Sequence, residues 1–154
     1  MSTATPNRSR RNALARAVAG TMIVVAGRLA SAAERSAAIH KPERRWYDAA
    51  ASMRRLAESW GDQPYGAVLV ADAAIIGEGP SRVIQRGDAN AHAEREAIRD
   101  AQRRLGRKDL SGSILYSTSR PCSQCEAAAA EAHVARMIYG EALNDAGRPG
   151  SWLR

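Results

Sequence analysis

The sequence predicts one α/β domain in which helices pack against the faces of a single β-sheet. Two observations lead to this prediction. The chain has 154 residues, which suits one hydrophobic core and is short for two independent domains. Amphipathic stretches alternate with short apolar, β-branched stretches in the order αββαβαβ. Such alternation places helices on a sheet, with parallel pairing in its later part.

The first half of the domain is predicted to hold one helix and a β-hairpin. Apolar residues recur at helical spacing from Trp46 to Trp60, and both tryptophans are expected in the core together with Met53. A Gly-Asp-Gln-Pro stretch then ends the helix. The apolar segments 67–70 and 74–77 flank a turn that contains an aspartate, so they are predicted to pair as a hairpin.

The second half is predicted to hold two helices and two strands. Asn90 is expected to cap a helix that Gly106 ends, and Pro121 suits the first turn of the other helix. The predicted bounds are 91–105 and about 121–133 for the helices, and 114–117 and 136–139 for the strands.

The positive charge of the chain is concentrated near its N-terminus. The formal net charge is +7, but residues 1–32 contain five arginines and no acidic residue, which leaves 18 basic against 16 acidic residues elsewhere. An RNA-binding surface needs a basic patch on the folded domain. Arg103, Arg104 and Arg107 are the candidates for a small patch. Nucleic acid is therefore not the expected partner.

The N-terminal sequence resembles a twin-arginine export signal. Arg10 and Arg11 precede an apolar stretch over 17–27, and Ala30-Ser31-Ala32 supplies the small residues of a signal-peptidase site. The alternatives are a basic helical extension and a start codon placed too early in a cytoplasmic protein. No apolar run reaches the roughly 18 residues of a membrane-spanning helix.

These features divide the chain into three parts. Residues 1–32 are predicted to be a signal peptide that directs periplasmic or extracellular export. Residues 33–45 are predicted to be a linker, and residues 46–154 the folded domain.

Two short motifs point to a catalytic metal site. His92 and Glu94 open one predicted helix, and Cys122 and Cys125 open the other, so both helix starts can face one point. Two thiolates and an imidazole are three ligands of the kind that zinc prefers, whereas a structural zinc site usually has four protein ligands. Three ligands leave one position for water, which is the arrangement of catalytic zinc sites. The sequence therefore predicts Zn²⁺ at His92, Cys122 and Cys125.

Glu94 is the candidate for moving protons at this site. Zinc lowers the pKa of a bound water to about 7 and so supplies hydroxide near neutral pH. Glu94 is two residues from His92, so on a helix its side chain diverges from the ligand and can reach that water. Hydrolysis of a cyclic amidine such as cytosine, adenine or guanine needs protons at the ring nitrogen and on the leaving ammonia. One carboxylate can act as general base and then as general acid.

The two motifs together resemble those of the zinc-dependent cytidine and nucleobase deaminase superfamily. His-x-Glu followed by Pro-Cys-x-x-Cys is the signature of those enzymes, and here 26 residues separate Glu94 from Pro121. From about Trp46 to Gly140 the chain is similar to the branch of guanine deaminases and tRNA-specific adenosine deaminases. The resemblance implies a three-layer αβα fold around a mixed sheet, a homodimer, the same three zinc ligands and the same proton carrier.

The resemblance also implies a substrate pocket. By carry-over, the backbone at Ala67, Ala93 and Ser119 lines the pocket, and Ser81 takes the place of an asparagine that contacts the base in many members. Arg120 stands where an acidic residue is usual, and the C-terminal tail is short. These departures weigh against guanine as the substrate.

The expected activity is hydrolytic deamination of a small aminated heterocycle, either a nucleobase or a nucleoside. A tRNA-specific adenosine deaminase and a non-catalytic zinc-binding module are the alternatives. Glu94 favours an enzyme, because a structural site has no use for a carboxylate beside an open zinc position. A redox pair formed by Cys122 and Cys125 would leave His92 and Glu94 unexplained.

Overall fold

The computed structural model describes residues 42–150. The predicted signal peptide and most of the predicted linker lie outside this range. The elements within it are, in chain order, α1 (Arg44–Ser59), β1 (Gly66–Ala71), β2 (Ala74–Pro80), α2 (Val83–Arg86), α3 (Ala93–Leu105), β3 (Ile114–Ser117), α4 (Ser123–Glu131), β4 (Arg136–Tyr139) and β5 (Asn144–Gly147). None of the helices in 42–150 combines the length and the apolar character needed to cross a membrane.

The strands of this range form one mixed sheet in the order β2-β1-β3-β4-β5. Strand β1 pairs antiparallel with β2 and β3, and β4 pairs antiparallel with β5. Strands β3 and β4 are parallel and are connected through α4. The hairpin between β1 and β2 turns at Asp72 and Ala73, which both have positive φ, as tight hairpin turns that match the strand twist require. The predicted hairpin and the predicted parallel pairing are confirmed.

Helices pack against both faces of the sheet, which confirms the predicted three-layer αβα fold of the α/β class. Alternate residues of β1 and β3 enter two separate cores, because successive side chains of a strand point to opposite faces. The core under α1 contains Trp46, Ala50, Val68, Val70, Ile114, Tyr116 and Ile138. The core under α3 and α4 contains Ala67, Leu69, Ala93, Ala97, Ile98, Ala101, Leu110, Leu115, Ala129, Ala132, Val134 and Met137.

Two glycines of β2 allow α3 to lie very close to the sheet. A Cβ atom on Gly79 would overlap the carbonyl oxygen of Ala93 and the backbone nitrogen of Ala97. A Cβ atom on Gly77 would overlap the carbonyl oxygen of Ala97. Only glycine permits such a close approach of two backbones. The position of the first turn of α3, which follows His92, therefore depends on these residues.

Most of the predicted elements are present with small changes of boundary. The strands predicted at 114–117 and 136–139 are confirmed. Helix α1 begins at Arg44, two residues before the predicted start at Trp46. Gly106 ends α3 in the left-handed conformation with φ of 63°, as predicted. The sequence analysis predicts neither α2 nor β5.

The predicted starts of the two later helices are wrong. Asn90 does not cap α3, because its N–H donates to Asp88 Oδ1 at 2.8 Å in a preceding turn, and His92 is the N-cap instead. Pro121 does not lie in the first turn of α4. The backbone of Cys122 is extended and makes that residue the N-cap, so Pro121 precedes the helix.

The prediction that Trp60 belongs to the core is also wrong. Trp46 is buried and Met53 is half-buried against the core under α1, as expected. Trp60 lies just after the end of α1 and keeps 37% of its surface exposed. The guanidinium of Arg82 lies 4.5 Å from the centroid of its ring. The indole thus stacks with a cation at the surface.

Candidate active site

The three predicted metal ligands meet where two helices begin. His92 is the N-cap of α3 and Cys122 is the N-cap of α4, with Cys125 in the first turn of α4. His92 Nδ1 lies 3.5 Å from Cys122 Sγ and 3.4 Å from Cys125 Sγ, and the two sulfur atoms are 3.4 Å apart. Among the His, Cys, Asp and Glu residues of the range 42–150, these three form the group that is positioned to bind a metal ion.

The spacing and the chemistry of these atoms fit zinc. Bonds of about 2.3 Å to sulfur and about 2.0 Å to nitrogen place the ligands of a tetrahedral zinc ion roughly 3.5 to 3.8 Å apart. The observed separations of 3.4 and 3.5 Å are close to that range. Sulfur and imidazole ligands suit zinc, whereas magnesium and calcium prefer oxygen. A zinc ion held by these three atoms would have one position left for a ligand from outside the group.

Glu94 lies beside the three ligand residues without belonging to their group. Its side chain is buried, and its Oε2 lies 3.5 Å from Cys125 Sγ. Its Oε1 accepts a hydrogen bond of 2.8 Å from the hydroxyl of Ser117, the last residue of β3. Ser117 is 1% exposed, so this hydrogen bond is shielded from water. The carboxylate is therefore held next to the ligands by a residue of the central sheet.

The protein environment disfavours ionisation of one of the two thiols. Burial raises the pKa of Cys125 well above its ordinary value, and the neighbouring Glu94 carboxylate and Cys122 act in the same direction. The partial positive charge of the helix N-terminus acts in the opposite direction and favours the thiolate. For Cys125, burial has the larger effect. A bound cation provides the opposing contribution, because coordination to a metal ion deprotonates a thiol.

A pocket of about 250 Å³ opens beside this group. Of the predicted substrate-binding residues, Ala93 and Ser119 line it. Its other lining residues are Gln63, Tyr65, His92, Glu94, Arg120 and Cys122. Tyr65 is 43% exposed, so it belongs to the pocket wall and not to the core. The pocket brings the ligands, the carboxylate and an aromatic ring to one small cavity.

Ser81 and Ala67 do not line this pocket. Ser81 is fully buried, and its hydroxyl donates to Asp62 Oδ1 at 2.9 Å. Ala67 is also fully buried, in β1 between Gly79 of β2 and Ser117 of β3. Their predicted contacts with a substrate stay predictions.

Sequence reasoning did not identify two residues of the site. Ser117 lies 23 positions from Glu94 in the sequence but hydrogen-bonds to it in the fold. The one feature of the sequence that could have indicated its role is that it is a small polar residue at the end of an apolar strand. Gln63 belongs to the turn after α1 and carries no local signal. Arg120, which stands where an acidic residue is usual in the family that the sequence resembles, lines the pocket.

The family of the chain follows from its central region. Residues 40–141 match the family described as the cytidine and deoxycytidylate deaminase zinc-binding region. The chain belongs to this family. The matched region contains the His and Cys residues that the fold positions for a metal ion.

Named relatives of the chain include tRNA adenosine deaminases and a guanine deaminase. A tRNA-specific adenosine deaminase of Buchnera aphidicola is 36% identical over 100 residues, which are 65% of this chain and 66% of the relative. The guanine deaminase of Bacillus subtilis is 41% identical over 87 residues, which are 56% of each chain. The chain thus spans about half to two-thirds of the length of these relatives.

Solved structures of these two kinds of protein share the fold of the chain. A structure from a study of A-to-I editing by tRNA:A34 deaminases has a TM-score of 0.61 and 37% identity, covering 64% of this chain and 71% of that one. The Bacillus subtilis guanine deaminase structure has a TM-score of 0.61 and 35% identity, covering 65% and 64% respectively.

Proposed function

We propose that this protein is a zinc-dependent hydrolytic deaminase of small aminated heterocycles. Its substrate is a nucleobase or nucleoside such as cytosine, guanine or adenine, and its products are the corresponding oxo compound and ammonia. The observation that carries the proposal is the position of Glu94, which lies 3.5 Å from a ligand sulfur and lines the same small pocket as His92 and Cys122.

In this proposal His92, Cys122 and Cys125 hold the zinc ion. A zinc ion with three protein ligands supplies an activated water near neutral pH. Two of the residues that would hold the ion, His92 and Cys122, line the pocket. The volume of about 250 Å³ suits one heterocyclic ring, and Tyr65 offers a flat surface for stacking.

Glu94 carries the protons of the reaction. Its carboxylate accepts a proton from the attacking water and passes it to the ring nitrogen as the C–O bond forms. It then takes the remaining proton of the added hydroxyl group and gives it to the amino group, which leaves as ammonia when the C–N bond breaks and the carbonyl of the product forms. The hydrogen bond from Ser117 keeps the carboxylate directed at the pocket during these transfers. Backbone groups at Ala93 and Ser119 border the ring.

The test of this proposal is an ammonia-release assay on the full chain supplemented with zinc. The compounds are cytosine, guanine, adenine and their nucleosides, and zinc content is measured on every sample. Glu94→Gln is expected to lower activity by about 10² to 10⁴-fold, while zinc stays near one per chain. Glu131→Gln, at the exposed end of α4, is the matched control and is expected to keep full activity.

Two results would contradict the proposal. If the purified protein contains no zinc, the proposal is wrong. A protein that holds zinc but releases no ammonia from any of these compounds would favour the non-catalytic zinc-binding module, unless an RNA substrate restores activity.

A tRNA-specific adenosine deaminase is the second candidate, because several relatives carry that name. The charge of the domain supports the small substrate instead. Residues 42–150 hold 15 basic and 15 acidic residues, so their formal charge is zero. Two arginines of the candidate RNA patch, Arg103 and Arg104, are paired with Asp100, and Arg104 also with Glu78. Conversion of adenosine to inosine in a tRNA anticodon stem-loop, without activity on free nucleosides, would establish the second candidate.

We also propose that residues 1–32 direct export and that the protein acts as a homodimer. The support for export is the arginine pair followed by an apolar stretch, and support for the dimer is the family resemblance. N-terminal sequencing of the mature protein tests the first, with a new terminus near residue 33 as the expected result. Light scattering on the purified protein tests the second.

A further inference from the structure

A second concavity adjoins the catalytic pocket at Arg120, which lines both. This flanking groove has a volume of about 490 Å³ and is also lined by Ser123, Glu126, Tyr139 and Asp145. It lies between the start of α4 and the β4–β5 hairpin. A molecule whose ring occupies the catalytic pocket can therefore extend past Arg120 into the groove.

Glu126 is the unusual residue of this groove. Its side chain is 93% buried, since 7% of its surface is exposed, and its Oε2 is buried without a hydrogen-bond partner. No residue of the range 42–150 forms a hydrogen bond or ion pair with this carboxylate. A buried carboxylate without donors is costly. Because the χ3 torsion of glutamate is broad and roughly two-fold, either oxygen can turn toward the groove.

The chemistry of the groove determines which kind of ligand group can hydrogen-bond to Glu126. A carboxylate is an acceptor of hydrogen bonds, so its partner must be a donor. Asp145, which is paired with Arg136, adds a second carboxylate to the lining. The unpaired charge of Glu126 disfavours a phosphate group beside it, whereas its carboxylate accepts hydrogen bonds from hydroxyl groups. Acidic side chains bind the hydroxyls of ribose in this way in dinucleotide-binding proteins.

We infer that the flanking groove is a subsite for a neutral, hydroxyl-bearing substituent on the heterocycle, with Glu126 as its hydrogen-bond acceptor. The inference rests on the proposed function and narrows its substrate class. The protein prefers a base that carries a sugar or a similar polyol over the free base and over a phosphorylated form. Arg120 stands at the junction between ring and substituent.

The test compares each nucleoside with its free base and with its 5′-monophosphate, using the full chain with zinc. The nucleoside is expected to have the highest kcat/KM of the three. Glu126→Ala is expected to reduce the preference for the nucleoside over the base by about tenfold or more, as expected for a hydrogen bond to a charged group. Glu131→Ala, also on α4 but exposed, is the control and should keep the wild-type preference.

Binding measurements separate this inference from the proposed function. The probes are the reaction products inosine and uridine against hypoxanthine and uracil, titrated by calorimetry. If no compound is deaminated but nucleosides bind more tightly than bases in a Glu126-dependent manner, the subsite stands and the proposed function fails. If bases are deaminated as well as nucleosides, and Glu126→Ala leaves the preference unchanged, the subsite is wrong and the proposed function stands. A preference for the monophosphate or for an RNA stem-loop also overturns the subsite.

The unfolding temperature of Glu126→Ala shows whether Glu126 also has a structural role in the fold. Removal of an unpaired buried carboxylate is expected to leave the stability of Glu126→Ala at or above that of the wild type. A marked loss of stability would show that Glu126 has a structural partner in the folded protein, and this would overturn its role as a subsite acceptor.

Discussion

Ser117 is the residue that fixes the orientation of Glu94. Its hydroxyl lies 2.8 Å from Glu94 Oε1 and 2.9 Å from the carbonyl oxygen of Ser119. A hydroxyl has one proton to donate, so the carboxylate and the carbonyl compete for it. An ionised carboxylate is the stronger acceptor. Ser117 therefore donates its proton to Glu94 and ties the carboxylate to the loop that borders the pocket.

This arrangement predicts a change in rate without a loss of metal. Ser117→Ala is expected to lower kcat by about 10 to 100-fold, as for loss of a hydrogen bond to a charged group, with a smaller change in KM and unchanged zinc content. Ser117→Thr retains the hydroxyl and is expected to recover most of kcat. Steady-state kinetics and elemental analysis provide the measurements. Equal kcat values in all three proteins would show that the hydrogen bond has no role in turnover.

The metal ligands and Glu94 could be predicted from the sequence because their geometry is local. Because helices begin at His92 and Cys122, the short spacing between each start and the next site residue fixes where that residue lies. Ser117 and Tyr65 could not be assigned, because tertiary packing alone brings them to the site. For Ser81 the carried-over contact with the base stays a prediction, and its hydroxyl hydrogen-bonds to buried Asp62.

At the scale of the elements, the contact between β2 and α3 should tolerate no added atom. Gly79→Ala is expected to destabilise the protein by about 3 kcal/mol or more, because the new methyl group would overlap the backbone of α3. Gly87→Ala is a matched comparison, since it has open space around it but φ of 60°, and should cost about 1 to 2 kcal/mol. Chemical denaturation measures both. A smaller cost for Gly79→Ala than for Gly87→Ala would contradict the tight packing.

Asp62 connects the turn after α1 with α2 and the end of β2. It accepts hydrogen bonds from the N–H groups of Gln63 (2.7 Å) and Gln85 (2.8 Å) and from the hydroxyl of Ser81 (2.9 Å). Burial alone would raise the pKa of Asp62, but these hydrogen bonds outweigh it and hold the pKa below its ordinary value. The carboxylate is therefore more stable in the folded chain than in the unfolded chain.

A folded-state pKa below the unfolded value gives stability that is present above pH ~4 and is lost as the pH falls further. Asp62→Asn is expected to cost about 2 kcal/mol at pH 7. The difference in unfolding free energy between wild type and variant should shrink below pH ~4. Asp72→Asn, in the exposed hairpin turn, is the control. A difference that stays constant between pH 7 and pH 3 would contradict the assignment.

The same contacts explain which elements the sequence could not predict. Helix α2 has four residues, too few for a periodic pattern, and its first turn donates to Asp62 from a distant part of the chain. Strand β5 is polar, and it is extended because it pairs with β4. Strands β3 and β4 were predictable because buried strands read as continuous apolar runs.

At the scale of the whole molecule, a metal ion would connect the two helices that lie on one face of the sheet. Removal of zinc with a chelator is therefore expected to lower the unfolding temperature by at least about 5 °C, and added zinc should restore it. Cys122→Ser is expected to unfold at the lower temperature and to respond little to the chelator. Differential scanning calorimetry provides the measurement, and an unfolding temperature that does not depend on zinc would contradict this role.

Both cysteines of the chain, Cys122 and Cys125, belong to the metal-binding group. A thiol-directed reagent therefore has no target elsewhere, and the number of sulfur atoms that react per chain reports the fraction of vacant metal sites. The two sulfurs are also distinguishable by rate, because Cys122 is exposed and Cys125 is buried. Labelling of the purified protein in two phases, one fast and one slow, therefore measures metal occupancy without a substrate.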